Sequence, residues 1–113
     1  MTHERREKTI SESRLVYECM QLLGKHGAVF RTNAGRYYTR SGQTVTGLPR
    51  GFSDILFIRQ DGRACFVELK KKGNKASPEQ EKFISKMQSM GALAGVAYTP
   101  EQAAQICGIE LAP

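Results

Sequence analysis

The chain has 113 residues, 40% apolar and 25% charged, with a formal net charge of +6 at pH 7. That is enough for one compact domain over residues 1–113 with a modest core. No apolar run reaches the length of a membrane span, and the start "MTHERREK" lacks the apolar stretch of a secretion signal, so a cytoplasmic protein with no membrane partner is expected. The basic balance favours a polyanionic partner, nucleic acid first. Cys19, Cys65 and Cys107 are far apart and form no CxxC or Cys/His cluster, which argues against a disulfide framework or a zinc site. Cys19 and Cys65 sit among apolar neighbours and read as small core residues.

Residues 1–9 are charged and are expected to fray. From Ile10 to His26 the pattern is helical: Leu15, Val16, Cys19, Leu22 and Leu23 recur on one face, and Gly24 and Gly27 bracket the end. Ala28 to Thr32 reads as a strand. "RYYTRSGQTVTG" allows a small hairpin about Ser41-Gly42 or a mobile loop. "SDILFIRQ" and "RACFVELK" form the clearest strand pair, joined at Asp61-Gly62, and the run Ile55 to Ile58 suits a central strand covered on both faces. Ser77 and Pro78 open a helix with Phe83, Ile84, Met87 and Met90 as its apolar stripe and Gly91 as its stop. "LAGVAYT" is a further strand, and Pro100 opens a last short helix. The order predicts an α/β fold, a central mixed sheet flanked by helices.

Three acids fall where apolar residues would be ordinary. Glu12 precedes Leu15, Val16 and Cys19 by three, four and seven residues, which places it on the buried face of the first helix, near its start. Asp54 begins the central strand. Glu68 shares a strand face with Phe66 and Lys70, side chains roughly 7 Å apart. Whether Asp54 and Glu68 meet depends on the turn. A two-residue Asp61-Gly62 turn puts them on opposite faces. A three-residue loop Gln60-Asp61-Gly62, with Gly62 left-handed, puts them directly opposite each other, β-carbons about 5 Å apart. Two such carboxylates repel unless a cation or proton intervenes, and oxygen donors of this kind suit Mg²⁺ or Mn²⁺. Gln80 has two readings: a capping-box partner for Ser77, or an amide pointing toward Lys70 and its water.

Asp54 followed by Glu68-Leu69-Lys70 on the next strand resembles the PD-(D/E)XK nuclease motif. With Glu12 on a leading helix, Gly51 before Asp54 and "SPEQEKF" over residues 77–83, the chain more closely resembles the VRR-NUC (virus-type replication-repair nuclease) branch, from about Ser11 to Tyr98. Ser53 stands where that family often has a proline. The resemblance implies a restriction-endonuclease-like fold with an αβββαβ core and Mg²⁺- or Mn²⁺-dependent cleavage of DNA phosphodiesters. It implies Asp54, Glu68 and the Leu69 carbonyl as metal ligands, and Glu12 on the metal or one of its waters. Lys70 would orient or activate the attacking water, supported by Gln80, with Glu12 and Gln80 approaching from two helices that cover the same face of the sheet.

Single-domain members resemble small phage or viral proteins that act as homodimers on four-way DNA junctions. A Holliday-junction resolvase is therefore expected, in the host cytoplasm if phage-encoded. A nicking, flap or restriction-type endonuclease, or a non-catalytic nucleic-acid-binding module, are the alternatives. Arg31, Arg36, Arg40, Arg50, Lys71, Lys72 and Lys75 flank the catalytic strands and are candidates for phosphate contacts, and Tyr37 and Tyr38 for packing on sugars or exposed bases.

Overall fold

The computed structural model describes residues 11–32 and 36–112. The stretch expected to fray, residues 1–9, lies outside the described residues. The elements are α1 (Glu12–Leu23), β1 (Gly27–Arg31), β2 (Arg36–Tyr38), β3 (Thr44–Thr46), β4 (Ile55–Arg59), β5 (Ala64–Leu69), α2 (Pro78–Ser89), β6 (Leu93–Ala97) and α3 (Pro100–Ile106). Four strands form one sheet in the order β1-β4-β5-β6, and β2 and β3 form a separate ribbon. β1, β4 and β5 pair antiparallel, and β6 joins β5 in parallel, so the sheet is mixed, as expected.

The helix α1 starts where Ser11 accepts a hydrogen bond from the Arg14 N–H at 3.1 Å. Its stripe of Leu15, Val16, Cys19 and Leu23 is buried. These residues pack with Ile55, Phe57, Cys65, Val67 and Leu69 from one face of the sheet and with Ala103, Ala104 and Cys107 from α3. Each large side chain taken fully out of water there contributes about 1.5–3 kcal/mol. All three cysteines are buried and free. The helix ends at Leu23 rather than at His26: Gly24 N–H makes the last bond of helical spacing, to the Met20 carbonyl, and the Lys25 and His26 N–H groups tighten onto the Leu22 and Leu23 carbonyls three residues back.

Three expectations need correction. Glu12 is exposed, not buried, since it is the first helical residue and the buried stripe begins only at Leu15. Nor do α1 and α2 cover the same face. Strand alternation sends Cys65, Val67 and Leu69 to the α1–α3 side and Phe66 and Glu68 to the α2 side. The expected double cover of β4 also fails: Ile55 and Phe57 are buried, but Leu56 and Ile58 on the α2 side are only half-buried.

The turn between β4 and β5 has the odd length. Ile55 pairs with Val67 and Ile58 with Ala64. The Arg59 N–H then donates to the Arg63 carbonyl at 3.0 Å, which leaves Gln60-Asp61-Gly62 as the loop. Gly62 has φ +87°, a left-handed conformation in which a β-carbon is strained. The Asp61 carboxylate accepts from the Arg63 N–H and pairs with the Arg59 guanidinium, which holds its pKa down to about 2. The β2–β3 ribbon repeats the device. Tyr38 pairs with Thr44, the Thr39 N–H donates to the Gln43 carbonyl at 2.8 Å, and Gly42 closes the loop at φ +88°. Of the two readings of that segment, the hairpin holds.

Candidate active site

The register of β4 and β5, continued one step past Ile55 and Val67, sets Asp54 directly opposite Glu68 on the α2 side of the sheet. Regular β4 has just begun there, and the Asp54 side chain takes the place of the missing backbone partner: its Oδ2 accepts from the Leu69 N–H at 2.8 Å. The next amide, Lys70 N–H, donates the other way, to the Ala97 carbonyl at 3.1 Å. Because a strand residue's N–H and C=O face the same edge, the Leu69 carbonyl looks toward Asp54.

Glu68 is 3% exposed. Its Oε2 accepts from Gln80 Nε2 at 2.7 Å and lies 3.8 Å from the Lys70 Nζ. Its Oε1 is buried with no hydrogen-bond partner among the described residues. The neighbouring Asp54 carboxyl offers only further acceptors until a proton or a cation lies between them. Burial, then the charge and proton-sharing of Asp54, push the Glu68 carboxyl up to about 8. Lys70 pulls against that shift, and Glu12 adds to it weakly.

Gln80 fills the capping role, and its other end turns to Glu68 rather than to Lys70. Its Oε1 accepts from the Ser77 N–H at 2.8 Å and its own N–H donates to the Ser77 hydroxyl at 3.2 Å, a complete capping box. The free Nε2 goes to Glu68. One amide therefore fastens the start of α2 to the carboxylate strand.

Several further residues support the site, and their contacts there escape a reading of the sequence. Phe52, Phe66 and Phe83 pack as a triangle beside the carboxylates, with centroids 5.8, 4.5 and 5.4 Å apart. A signal existed for two of them: Phe66 alternates with Glu68, and Phe83 lies three residues after Gln80, so both point to the site face. Gly51, at φ +87°, lets the chain before Asp54 lie against α2. A β-carbon there would stand 2.7 Å from the Glu79 carbonyl oxygen. Ser53, in the place of a frequent proline, is fully buried and donates to the Ile55 carbonyl at 3.0 Å, bridging Asp54. The Thr32 N–H holds the Asp54 carbonyl at 2.9 Å, and its hydroxyl bonds the Ser53 carbonyl.

Glu12 does not join the pair. Among the described residues no three His, Cys, Asp or Glu side chains converge on one point, and Glu12 reaches Glu68 only through its field. Of the basic candidates, Arg31, Arg40, Arg50, Lys72 and Lys75 are exposed and Lys71 is half-buried. Arg36, Tyr37 and Tyr38 are placed on β2 by their backbone. Lys71 to Asn74 form a turn directly after Lys70, with the Asn74 N–H on the Lys71 carbonyl at 3.0 Å. The Tyr98 hydroxyl donates to the Asn74 carbonyl at 2.8 Å and so ties this basic loop to the end of β6.

A family profile described as the VRR-NUC domain matches residues 5–100. The chain belongs to the VRR-NUC family. A solved structure titled "VRR_NUC domain" is similar at 23% identity, with a TM-score of 0.62 over 86% of this chain and 94% of that one. At that identity the likeness speaks for the fold, and it agrees with the mixed sheet and flanking helices. No curated protein matches. VRR-NUC domains are nucleases of PD-(D/E)XK type that generally use divalent metal ions. The residues present fit such an ion: Glu68 Oε1 is buried without a partner, Asp54 stands opposite it, and the Leu69 carbonyl faces the same gap, an all-oxygen donor set. Among the described residues no helix is long and apolar enough to cross a membrane.

Proposed function

We propose that this VRR-NUC domain is a Mg²⁺- or Mn²⁺-dependent, structure-selective DNA endonuclease acting as a homodimer on four-way junctions. The observation that carries the nuclease chemistry is the facing pair of Asp54 and Glu68, with one buried oxygen left unpartnered. Asp54, Glu68 and the Leu69 carbonyl would hold the metal, with Glu12 acting at longer range. When bound, the ion lowers the pKa of a water and offsets charge on the phosphate in the transition state.

The protein's own groups do the rest. Lys70, 3.8 Å from Glu68, orients the attacking water and steadies the phosphate oxygens. Gln80 fixes the Glu68 carboxylate and keeps Oε2 from turning away. The Phe52–Phe66–Phe83 triangle walls one side against water and sets the angle of α2. Exposed Arg40, Arg50, Lys72 and Lys75, with Lys71, supply phosphate contacts and a steep salt dependence of binding. A two-fold symmetric dimer presents two sites, which suits the paired cuts of a four-way junction.

The test compares cleavage of a synthetic four-way junction, a flap and a continuous duplex in Mg²⁺, Mn²⁺ and EDTA, with sedimentation to read the mass. Paired cuts in the junction, with none in EDTA and none by Asp54→Asn, are expected. Cleavage in EDTA, or full activity of Asp54→Asn, would contradict the metal-site reading. A preference for flaps by a monomer would keep the nuclease and remove the resolvase.

A further inference from the structure

On the site face of the sheet, α2 packs on β5 and β6, and among the described residues its backbone does not come close to that of β4 or β1. The open half carries one large exposed ring. Phe30 is 53% exposed, pairs with Leu56 and through it with Phe66, and so lies in the row next to the Thr32–Asp54–Glu68 row. Rows are roughly 7 Å apart, and the diagonal from Asp54 to Phe30 is about 8 Å. Phe66, in the same row, is covered by Phe52 and Phe83, whereas among the described residues no ring covers Phe30. With α2 closing the β5–β6 side, a strand that brings its phosphate to Asp54 and Glu68 across this face passes over β4 and β1, and therefore over Phe30.

We propose that Phe30 is a stacking platform for a base unstacked beside the scissile phosphate, and that it makes the site select branched DNA over continuous duplex. The inference rests on the nuclease reading above. Within a duplex the base faces are already stacked on their neighbours and offer nothing to the ring. At a branch point a base can turn its face outward, and an aromatic ring accepts it without regard to sequence. The charged groups supply affinity for any DNA, and Phe30 supplies the difference between structures.

The experiment measures binding in EDTA, where no strand is cut. Fluorescence anisotropy gives Kd for a four-way junction and a continuous duplex, and a 5-iodouracil at the branch point reports stacking by photo-crosslinking to an aromatic side chain. Phe30→Ala should weaken junction binding about tenfold, the loss of one base–aromatic stack. It should abolish the crosslink and leave duplex binding within about twofold, and Phe30→Trp should restore both readouts. Equal weakening of both DNAs, or a crosslink that survives in Phe30→Ala, would overturn the proposal. So would a change from dimer to monomer in sedimentation with no change in the junction-to-duplex ratio, which would assign this face to a second copy of the chain. If the wild-type protein binds neither DNA in EDTA and cuts neither in Mg²⁺ or Mn²⁺, the nuclease reading itself fails, a result separable from loss of selectivity alone.

Discussion

Replacing Gln80 with alanine should destabilise the metal-free protein by about 2 kcal/mol at pH 6 and about 3 kcal/mol at pH 9. Two contacts are lost. The Gln80 Oε1 no longer accepts the Ser77 N–H, now at 2.8 Å, which removes half of the capping box and costs about 1 kcal/mol. The Nε2 no longer donates to Glu68 Oε2, now at 2.7 Å. While Glu68 is protonated that bond is worth about 1 kcal/mol, and once the carboxyl is charged about 2 kcal/mol. In a domain of this size each kcal/mol lowers Tm by about 4 °C, so the variant should melt about 8 °C lower at pH 6 and about 12 °C lower at pH 9. Ser77→Ala removes only the other half of the box and serves as the reference for capping. Gln80→Glu keeps a capping partner but sets a carboxylate against Glu68, so its penalty should grow with pH. Thermal unfolding followed by circular dichroism in EDTA measures all three. If Gln80→Ala and Ser77→Ala cost the same at both pH values, the amide contributes nothing at Glu68 and the reasoning is refuted.

Other outcomes follow from the same geometry. The folded-state pKa of Glu68 is raised from 4.5 to about 8, so its contribution to stability is complete below about pH 4.5 and is lost as pH rises through 8. Metal-free melting curves of the wild type should show this as an extra slope, up to about 1.4 kcal/mol per pH unit, that Glu68→Gln lacks; parallel profiles would refute it. Gly51→Ala should cost more than 2 kcal/mol, because strain at φ +87° adds to a contact with the Glu79 carbonyl, whereas Gly62→Ala, in open space, should cost about 1 kcal/mol. Equal melting temperatures for the two would show that the Gly51 contact gives way. Tyr98→Phe frees the Lys71–Asn74 loop and should weaken DNA binding about threefold while shifting stability by less than about 1 kcal/mol; unchanged affinity would mean that the tether does not serve DNA.

Much of this site was legible because its determinants are local. Gly62 after Gln60-Asp61 marks an odd loop, and strand alternation then carries Asp54 and Glu68 to one face. Ser77, Pro78 and Gln80 mark the start of α2 in the same way. Helix phase alone misled at Glu12, since periodicity does not say where a buried stripe begins along the axis, nor which face of the sheet a helix covers. Phe30 passed unremarked inside "AVFRT", because its meaning comes from its pairing with Leu56, twenty-six positions away, and from the helix that does not cover it. The Tyr98 to Asn74 bond is equally non-local. Gln80 shows the limit from the other side: the capping reading holds, and because an amide has two ends the free Nε2 still reaches the site, at Glu68 and not at Lys70.

The central claim is that Asp54 and Glu68 together form one cation site. Isothermal titration of the wild-type protein with Mn²⁺, beside Asp54→Asn and Glu68→Gln, tests it most directly. One Mn²⁺ should bind per chain in the wild type, with proton release near neutral pH as the Glu68 carboxyl ionises, and binding should vanish in both variants while their circular dichroism stays native. Undiminished Mn²⁺ binding by either variant would contradict the account.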